Sequence, residues 1–468
     1  MFKDIDELAR YISEEDIEFL DLYYTDLFGN FRHLCTPSKN FSKLVHEGLA
    51  FDGSSVPGFH AVECGDLLLI PDPKSAFADP FHPSNVIMLC KQVDADTHEV
   101  NPADPRMIAQ KAEKFLKDEL DASSVWLPEF EFFLFDDVAY LNRDQESFFS
   151  VATTEYQGTT DSLGYTSRVM DGYHATPPQD ANFLIRSEMV RLIENVGIPV
   201  HYHHHEVGGA SQQEIEIALT PLLQACDAVQ IIKYIIRMTA GEAGLSACFM
   251  PKPMFNHPGN GMHFHQMLVR DGKSLFWGKG NYADLSDMAL HYIGGLLKHA
   301  PALVAITNPS TNSYKRLLPG FEAPTRLFFG LANRSAAIRV PKYANTDETK
   351  RMEFRPPDAT ANPYLAISAM LMAGIDGIKN KIDPTEHGFG PFDENVSEWP
   401  EEEQKKLQAI PTSLPEALDA LQSDYEFLLQ GNVFTEQFVE YWVKLKTDEY
   451  RLVNDRPSPA EFEIYYNV

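Results

Sequence analysis

Positive charge is scarce in this sequence. Lys and Arg number 39 against 68 Asp and Glu, which gives the 468 residues a formal net charge of −29. A surface of that sign repels nucleic-acid backbones and anionic lipid. We therefore expect neither nucleic acid nor a membrane as a partner attracted by bulk charge.

Cysteine is also scarce. The thiols Cys35, Cys64, Cys90, Cys226 and Cys248 are an odd number without a CxxC pair. This usage is typical of a reducing compartment, and it argues against both a disulfide framework and a thiolate metal site. The first residues carry acid where a secretion signal would carry a basic flank. No apolar run approaches the roughly 18 residues of a membrane helix, so we expect a soluble, cytoplasmic protein.

Apolar residues, in contrast, are abundant. They make up 44% of the chain, with 12% aromatics, far above the content of disordered acidic proteins. We predict a first unit over residues 1–104, with strands at 17–26, 31–36 and 85–93, and a second unit over 105–468. Asp104 can cap a helix that starts at Pro105. Helices are predicted over 105–120, 180–196, 222–243, 414–429 and 435–445, and a surface excursion over 383–412.

Four short segments alternate apolar and ionisable residues. Residues two apart in a strand share a face, so each segment collects its ionisable side chains on one side. The resulting groups are Glu129 with Glu131, Glu214 with Glu216, His263 with His265, and Glu353 with Arg351 and Arg355. One explanation is an ordinary solvated sheet face, although such faces usually mix Lys, Thr and Ser with acid. Neighbouring carboxylates flanked by Phe or Ile need a cation, and carboxylates with imidazole suit Mg²⁺ or Mn²⁺.

A histidine cluster, HYHHHE, occupies residues 201–206. It has no HExxH spacing, so a zinc-hydrolase site is not indicated. In alternation, Tyr202, His204 and Glu206 face one way. We predict Glu206 as the functional member, with the histidines as packing or supporting groups.

Basic residues concentrate in one stretch of this acidic chain. Arginine forks suit carboxylate and phosphate oxygens, and beside a divalent metal they are what phosphoryl transfer requires. The alternative is that they pair with the protein's own acids. A GxxxxGK[ST] phosphate loop is missing from the sequence. The cluster comprises Lys315, Arg316, Arg326, Arg334, Arg339, Lys342, Lys350, Arg351 and Arg355.

Several stretches together resemble one enzyme family. They are FDGSS at 51–55, KP at 252–253 through GMH at 261–263, NPSTNSYKRLLPGFE at 308–322, NRS at 333–335, EFR at 353–355 and EFEIYY at 461–466. With them the chain is similar to a class I, bacterial-type glutamine synthetase of the long form. The resemblance implies an α+β fold with a β-grasp-like N-terminal domain (1–104). A larger catalytic domain (105–468) would carry an antiparallel sheet flanked by helices, as in guanido kinases.

The resemblance also implies an activity and an assembly. Ammonium would be joined to the side-chain carboxylate of glutamate with ATP, through a γ-glutamyl phosphate. The subunits would form a dodecamer of two hexameric rings, with active sites shared between neighbours.

Residue roles follow from the same resemblance. One Mg²⁺ or Mn²⁺ would be held by Glu131, Glu206 and Glu214, and a second by Glu129, His263 and Glu353. ATP would lie against His265, Gln266, Met267, Arg334 and Arg339. Glutamate and the transferred phosphoryl would contact Gly259, Arg316, Glu322, Arg334, Arg339 and Arg355. Ammonium would lie near Asp52, Ser55, Tyr173 and Glu206, with Asp52 of the neighbouring subunit taking its proton. Glu322 would lie on a flap that excludes water.

The chain departs from the family pattern in four places. Met267 replaces a serine near the nucleotide, and His201 replaces a nucleotide-side acid. Pro258 stands where Asn is usual. Ser397 aligns with the tyrosine that many members adenylylate, so we expect no adenylylation at that position.

Three other functions stay open at this point. A paralogue could join glutamate to a polyamine or ethanolamine, but Asp52, Asp66 and Glu322, which such paralogues tend to alter, are present. A metal-dependent hydrolase would need neither the arginines nor ATP. A catalytically silent regulatory or storage ring would not depend on Asp52 or Glu322.

Overall fold

The computed structural model describes residues 2–56, 65–156, 164–321 and 323–468, with only the backbone at Ser397. A six-stranded sheet in the first part has the order β2-β1-β6-β4-β3, with β5 beside β6. Strands β1 and β6 are parallel and the other pairs antiparallel. Its elements are α1 (Ile5–Glu14), β1 (Phe19–Thr25), β2 (Phe31–Pro37), α2 (Phe41–Glu47), β3 (Leu49–Asp52), β4 (Asp66–Pro71), β5 (Phe77–Ala78) and β6 (Asn85–Asp94).

The remainder of the chain builds a larger, mostly antiparallel sheet covered by helices, so the fold is α+β as predicted. The sheet order is β10-β11-β7-β14-β18-β17-β16, with β12 and β13 beside β7 and β15 beside β14, while β8 and β9 form a separate hairpin. The strands are β7 (Ser123–Phe135), β8 (Asp137–Arg143), β9 (Glu146–Ala152), β10 (Val200–His205), β11 (Gln212–Ile217), β12 (Thr220–Pro221), β13 (Ser246–Cys248), β14 (Phe264–Arg270), β15 (Lys273–Ser274), β16 (Phe329–Leu331), β17 (Ile338–Val340) and β18 (Met352–Phe354). The helices are α3 (Pro105–Leu120), α4 (Phe183–Asn195), α5 (Leu222–Glu242), α6 (Asp287–Thr307), α7 (Ser313–Arg316), α8 (Pro363–Asn380), α9 (Glu401–Gln404), α10 (Leu414–Ser423), α11 (Glu426–Leu429), α12 (Glu436–Asn454) and α13 (Pro459–Tyr465).

Helix α3 begins where the sequence predicted. The Asp104 side chain accepts a hydrogen bond from the Arg106 backbone N–H at 3.0 Å, which satisfies one of the free donors of the first turn. The buried Arg106 guanidinium then donates to Asp72 of the first part (2.9 Å) and to Asp227 of α5 (3.0 and 2.9 Å). This fork of charged hydrogen bonds joins the two parts of the chain at one buried point.

Helices α6 and α8 form the centre of the core. Their backbones touch, because a Cβ at Gly295 would lie 2.7 Å from the Gly377 Cα and one at Gly377 would lie 2.6 Å from the Gly295 Cα. By length and composition α6 could cross a membrane, contrary to our expectation that no run approaches that length, but 78% of its apolar window is buried inside the protein. It is a core helix.

Three predictions of local structure need correction. Residues 261–263 precede β14 instead of belonging to it, and the single helix predicted over 414–429 is split into α10 and α11. The predicted surface excursion over 383–412 is instead partly packed, with Phe389, Ile410 and Leu407 buried. In that segment α9 and a 3₁₀ turn at Val396–Glu398 add local structure. Local composition suggested an exposed loop there, and packing against the sheet overrides it.

Candidate active site

A polar cavity of about 150 Å³ opens at one face of the large sheet. Twelve of the residues singled out from the sequence line it: Glu129, Glu131, Tyr173, Glu206, Glu214, Gly259, His263, Arg316, Arg334, Arg339, Glu353 and Arg355. Segments that carry acids and segments that carry arginines lie far apart in the chain, but both line this cavity.

Strand register explains why the carboxylates meet. Glu131 lies directly opposite Glu214 in the β7–β11 pair, and Glu129 lies opposite Glu216. Side chains directly opposite in an antiparallel pair have Cβ atoms about 5 Å apart, and like charges there destabilise the sheet. All four acids are buried. The sheet thus holds an arrangement of charge that requires compensation.

The first cluster consists of carboxylates alone. Ligand atoms of Glu131, Glu206 and Glu214 all lie within 4.8 Å of one another. Burial and the neighbouring carboxylates of Glu214 and Glu131 raise the pKa of Glu206 to about 9. Burial, Glu129 and Glu131 likewise raise the pKa of Glu214 well above its usual value. Hard oxygen donors without thiolate are the set that Mg²⁺ or Mn²⁺ prefers, so these residues fit a divalent ion.

The second cluster mixes carboxylate and imidazole. Ligand atoms of Glu129, His265 and Glu353 lie within 4.8 Å of one another. His263 also approaches, with Nδ1 2.8 Å from Glu129 Oε2 and 3.6 Å from Glu353 Oε1. Burial opposes ionisation of Glu129, but hydrogen bonds from His263 and His265 outweigh it and hold the pKa of Glu129 well below its usual value. Both histidines, and not His263 alone, are therefore placed where a second divalent ion could bind.

Arginines face the second cluster. Arg355 Nη1 and Arg339 Nε each lie 2.5 Å from a Glu353 oxygen. Burial would raise the pKa of Glu353, yet Arg355 and then Arg339 lower it overall. Part of the basic stretch thus pairs with the protein's own acid, which is the alternative considered above. The same guanidinium groups still line the cavity.

Arg316 is held by backbone carbonyls. Its Nη1 donates to Pro356 O at 2.7 Å, and its Nη2 lies 3.2 Å from His263 Nε2. Two glycines leave room for it: a Cβ at Gly259 would lie 2.8 Å from Arg316 Cγ, and one at Gly261 would lie 2.6 Å from Arg316 Nη2. A larger residue at either position would displace the guanidinium.

Several cavity residues were not chosen from the sequence. They are Tyr202, His204, Val207, Gln212, Phe321 and Tyr343. His204 Nε2 lies 3.5 Å from Glu214 Oε1, and its ring meets that of Tyr173 edge-on at 5.1 Å. The signal was present in the alternation that put His204 on the Glu206 face. The sequence favours packing or supporting roles for the histidines, whereas the structure places His204 in the cavity lining.

Glu216, the acid left over from the predicted metal set, has its own partners. His201 Nδ1 lies 2.8 Å from its Oε1, and the Tyr202 hydroxyl donates to its Oε2. His201, expected near the nucleotide, is thus tied to a buried acid beside the cavity and is not part of the lining.

Some predicted residues do not line the cavity. His265, Gln266 and Met267 are buried, and Gln266 Oε1 accepts from the Tyr292 hydroxyl at 2.7 Å. Their part in nucleotide binding stays a prediction. Asp52 and Ser55 are exposed in the first part of the chain. Hydrogen bonds from Ser54 and Ser55 lower the pKa of Asp52, so it is ionised at neutral pH. Glu322 lies outside the described residues.

The chain is similar to known proteins over its whole length. The family profile described as "Glutamine synthetase, catalytic domain" matches residues 102–465, and "Glutamine synthetase, beta-Grasp domain" matches residues 16–95. The glutamine synthetase of Frankia alni is 44% identical over 478 residues, covering 100% of both chains. That of Aquifex aeolicus is 44% identical, covering 99% of each.

Solved structures agree with this comparison. The Plasmodium falciparum glutamine synthetase superposes with a TM-score of 0.89 at 28% identity, covering 99% of both chains. An ADP complex of GmaS superposes with a TM-score of 0.82 at 26% identity, covering 98% of this chain and 99% of the other.

Proposed function

The chain belongs to the glutamine synthetase family, and from this we propose that the cavity on the large sheet is its active site. The enzyme forms glutamine from glutamate and ammonium with ATP. One observation carries the placement: five buried or half-buried carboxylates and four arginines from separate segments line one cavity. That combination serves phosphoryl transfer to a carboxylate.

Two divalent ions fit the donor sets already described. Glu131, Glu206 and Glu214 would hold one, and Glu129, Glu353 and His263 the other, with His265 beside Glu129. When bound, such ions neutralise phosphate charge and orient the transferred group. Both Mg²⁺ and Mn²⁺ accept the oxygen ligands of the all-carboxylate cluster. The ADP complex solved for GmaS supports binding of the nucleotide in this chain, where we assign Arg334, Arg339 and the segment His265, Gln266 and Met267 to it.

The arginines would act on the substrates. Arg316 and Gly259 would position glutamate, while Arg334, Arg339 and Arg355 would disperse charge on the phosphoryl group as it passes to the side-chain carboxylate. The product of this step is a γ-glutamyl phosphate. Arg339 and Arg355 pair with Glu353 and line the cavity, so substrate phosphate would compete with Glu353 for these guanidinium groups.

Ammonium would be attracted to the acidic end of the cavity, near Tyr173 and Glu206. Asp52 and Ser55 would complete that end, with Asp52 accepting the proton that turns ammonium into nucleophilic ammonia. Glu322 would close over the acyl phosphate. The preceding residue, Phe321, lines the cavity, and Lys252 Nζ lies 3.5 Å from the centre of its ring.

We propose that Asp52 comes from a neighbouring subunit in a dodecamer of two hexameric rings. Asp52 does not line its own chain's cavity, and that cavity, at about 150 Å³, is smaller than the roughly 300–1,000 Å³ of usual ligand sites. Exposed apolar side chains on the β8–β9 hairpin (Tyr140, Phe149) and near the C-terminus (Phe462, Tyr466) suit subunit contacts.

Three finer assignments complete the proposal. The domain boundary lies between residues 104 and 105, the enzyme works in the cytoplasm, and this long-form chain is not adenylylated at Ser397. The boundary is supported by the end of one sheet before α3 and the start of the other after it.

Phosphate release from ATP tests the function. We expect release that requires glutamate, ammonium and Mg²⁺ together, and none with putrescine or ethanolamine in place of ammonium. Phosphate release with either larger amine, but not with ammonium, would reassign the chain as a γ-glutamyl ligase for that amine. If an Arg355→Ala variant released phosphate as fast as the wild type, the cavity would not be the active site. If no amine supported phosphate release, a catalytically silent ring would be favoured.

A further inference from the structure

A second group of metal-binding side chains lies on the N-terminal sheet, outside the active site. In the β1–β2 pair Asp21 is directly opposite Cys35, and Tyr23 is opposite His33. Alternation puts all four on one face of the sheet. Ligand atoms of Asp21, His33 and Cys35 all lie within 4.8 Å of one another, and His33 Nε2 is 2.8 Å from Asp21 Oδ1.

The group is held in place by its neighbours. Asp21 is buried, and its Oδ2 accepts a hydrogen bond from Asn85 Nδ2 of β6 at 2.6 Å. This bond holds the carboxylate in place while Oδ1 contacts His33 Nε2. The His33 ring stacks on Tyr23, with centroids 4.7 Å apart. Supporting contacts of this kind are typical of metal ligands, while His33 and Cys35 are exposed and leave a path for an ion.

We propose that Asp21, His33 and Cys35 form a Zn²⁺ site. One thiolate, one imidazole and one carboxylate are ligands that Zn²⁺ accepts, in tetrahedral geometry with water in the fourth position. Its bond lengths of about 2.0–2.3 Å place ligand atoms roughly 3.4–3.8 Å apart, so small side-chain movements within the 4.8 Å cluster suffice. Cys35 gives up its thiol proton to solvent as the S–Zn bond forms. The ion would link the edge strand β2 to its neighbour β1.

The site differs in chemistry from the catalytic one. Mg²⁺ requires oxygen ligands and does not compete for a thiolate. No cysteine is among the described residues that line the active-site cavity. The sequence argued against a thiolate site because it has no CxxC pair, but strand pairing brings together ligands that lie 12 and 14 positions apart.

The test uses the full-length assembled enzyme in excess Mg²⁺. Co²⁺ is titrated as a spectroscopic substitute for Zn²⁺, and thiolate-to-Co²⁺ charge-transfer absorption reports a bond to sulfur. Zn²⁺ retained after gel filtration is then counted. The variants are Cys35→Ser and His33→Gln, with Cys248→Ser, another free cysteine, as the matched control.

We expect the charge-transfer band and one additional Zn²⁺ per chain in the wild type and in Cys248→Ser. Cys35→Ser should lose the band, and both N-terminal variants should bind Zn²⁺ at least about tenfold more weakly. Circular dichroism and unchanged glutamine synthesis would show that these variants are folded. A band that survives in Cys35→Ser, or no Zn²⁺ retained by the folded wild type, would overturn the site.

Discussion

His299 is a buried histidine between two acids. Its Nε2 lies 3.0 Å from Asp376 Oδ2 and its Nδ1 lies 2.8 Å from Asp424 Oδ2. Burial opposes protonation, but the hydrogen bonds to Asp376 and Asp424 outweigh it and raise the pKa of His299. Burial would raise the pKa of Asp376, yet the bond to His299 lowers it. The three residues thus form a charged link between α6, α8 and Asp424, which directly follows α10.

This link predicts a pH-dependent stability. A raised histidine pKa stabilises the fold fully below the unfolded pKa of about 6.5, and the contribution is lost as pH rises through the folded pKa. The lowered Asp376 pKa adds stability above about pH 4, lost as pH falls through the folded pKa. We expect His299→Gln to cost about 3 kcal/mol at pH 6 and clearly less at pH 9, measured by urea unfolding. His291→Gln on the same helix serves as control. An equal loss at both pH values would contradict the charged link.

The sequence predicted the positions of some site residues and not of others. Alternation identified Glu129, Glu131 and Glu214 because residues two apart in a strand lie on the same face of the sheet. It gave no reason to bring Arg316 to His263, since that contact depends on loops whose path no local pattern encodes. His204 is visible in the same alternation as Glu206, but an imidazole has several structural uses and the pattern does not distinguish among them.

At the scale of elements, strands β7 and β11 carry facing acids through the middle of the large sheet. The opposite pairs Glu131–Glu214 and Glu129–Glu216 are set by backbone register, so like charges are built into this pair of strands. A divalent ion would convert their repulsion into attraction. The sheet should therefore be less stable without metal than with it.

We predict that Glu214→Gln raises the stability of the metal-free protein while it lowers the enzyme's activity. In EDTA the variant should be more stable than the wild type by about 1–3 kcal/mol, because one buried carboxylate is gone. In Mg²⁺ it should gain less stability than the wild type, and glutamine synthesis should fall at least about a hundredfold. Urea unfolding in both buffers and a phosphate-release assay measure this.

Glu386→Gln, at an exposed position, provides the matched control and should change neither quantity. If Glu214→Gln destabilised the metal-free protein, the facing acids would not be repelling one another as the register indicates.

Helices and strands could be predicted from the sequence where one face is buried and the other is exposed to solvent. Helix α3 has an apolar stripe and a clear cap, and its limits followed from the sequence. Helices α6 and α8 were not identified, although they are the centre of the core. In α8 every residue from Pro363 to Gly377 is buried, so no polar face exists to mark a helical period. Strands β16 and β17 have three residues each, too few to show alternation.

For the whole molecule, the separation of Asp52 from its own cavity predicts complementation between subunits. Rings mixed from Asp52→Ala and Arg339→Ala chains should recover activity that neither variant has alone. Random mixing gives about one quarter intact sites, because each site needs the right residue from two different chains. Co-expression with two affinity tags, followed by the phosphate-release assay, measures the recovery.

Mixed rings of wild-type and Arg339→Ala chains provide the control for assembly. No recovery in fully mixed rings would show that each chain completes its own site. Local sequence patterns do not give this arrangement, because it would depend on a contact between chains. The expectation came from the family resemblance.

Helix α6 has a consequence for the synthesis of the protein. It is apolar enough to cross a membrane, and its burial depends on α8, which starts 56 residues after α6 ends. During translation α6 is therefore complete before its main partner, and it exposes a surface that membrane-insertion machinery and other nascent chains can bind. Substitutions that weaken α8 should first appear as lower soluble yield or membrane-associated protein. The catalytic rate of the molecules that do fold should change little.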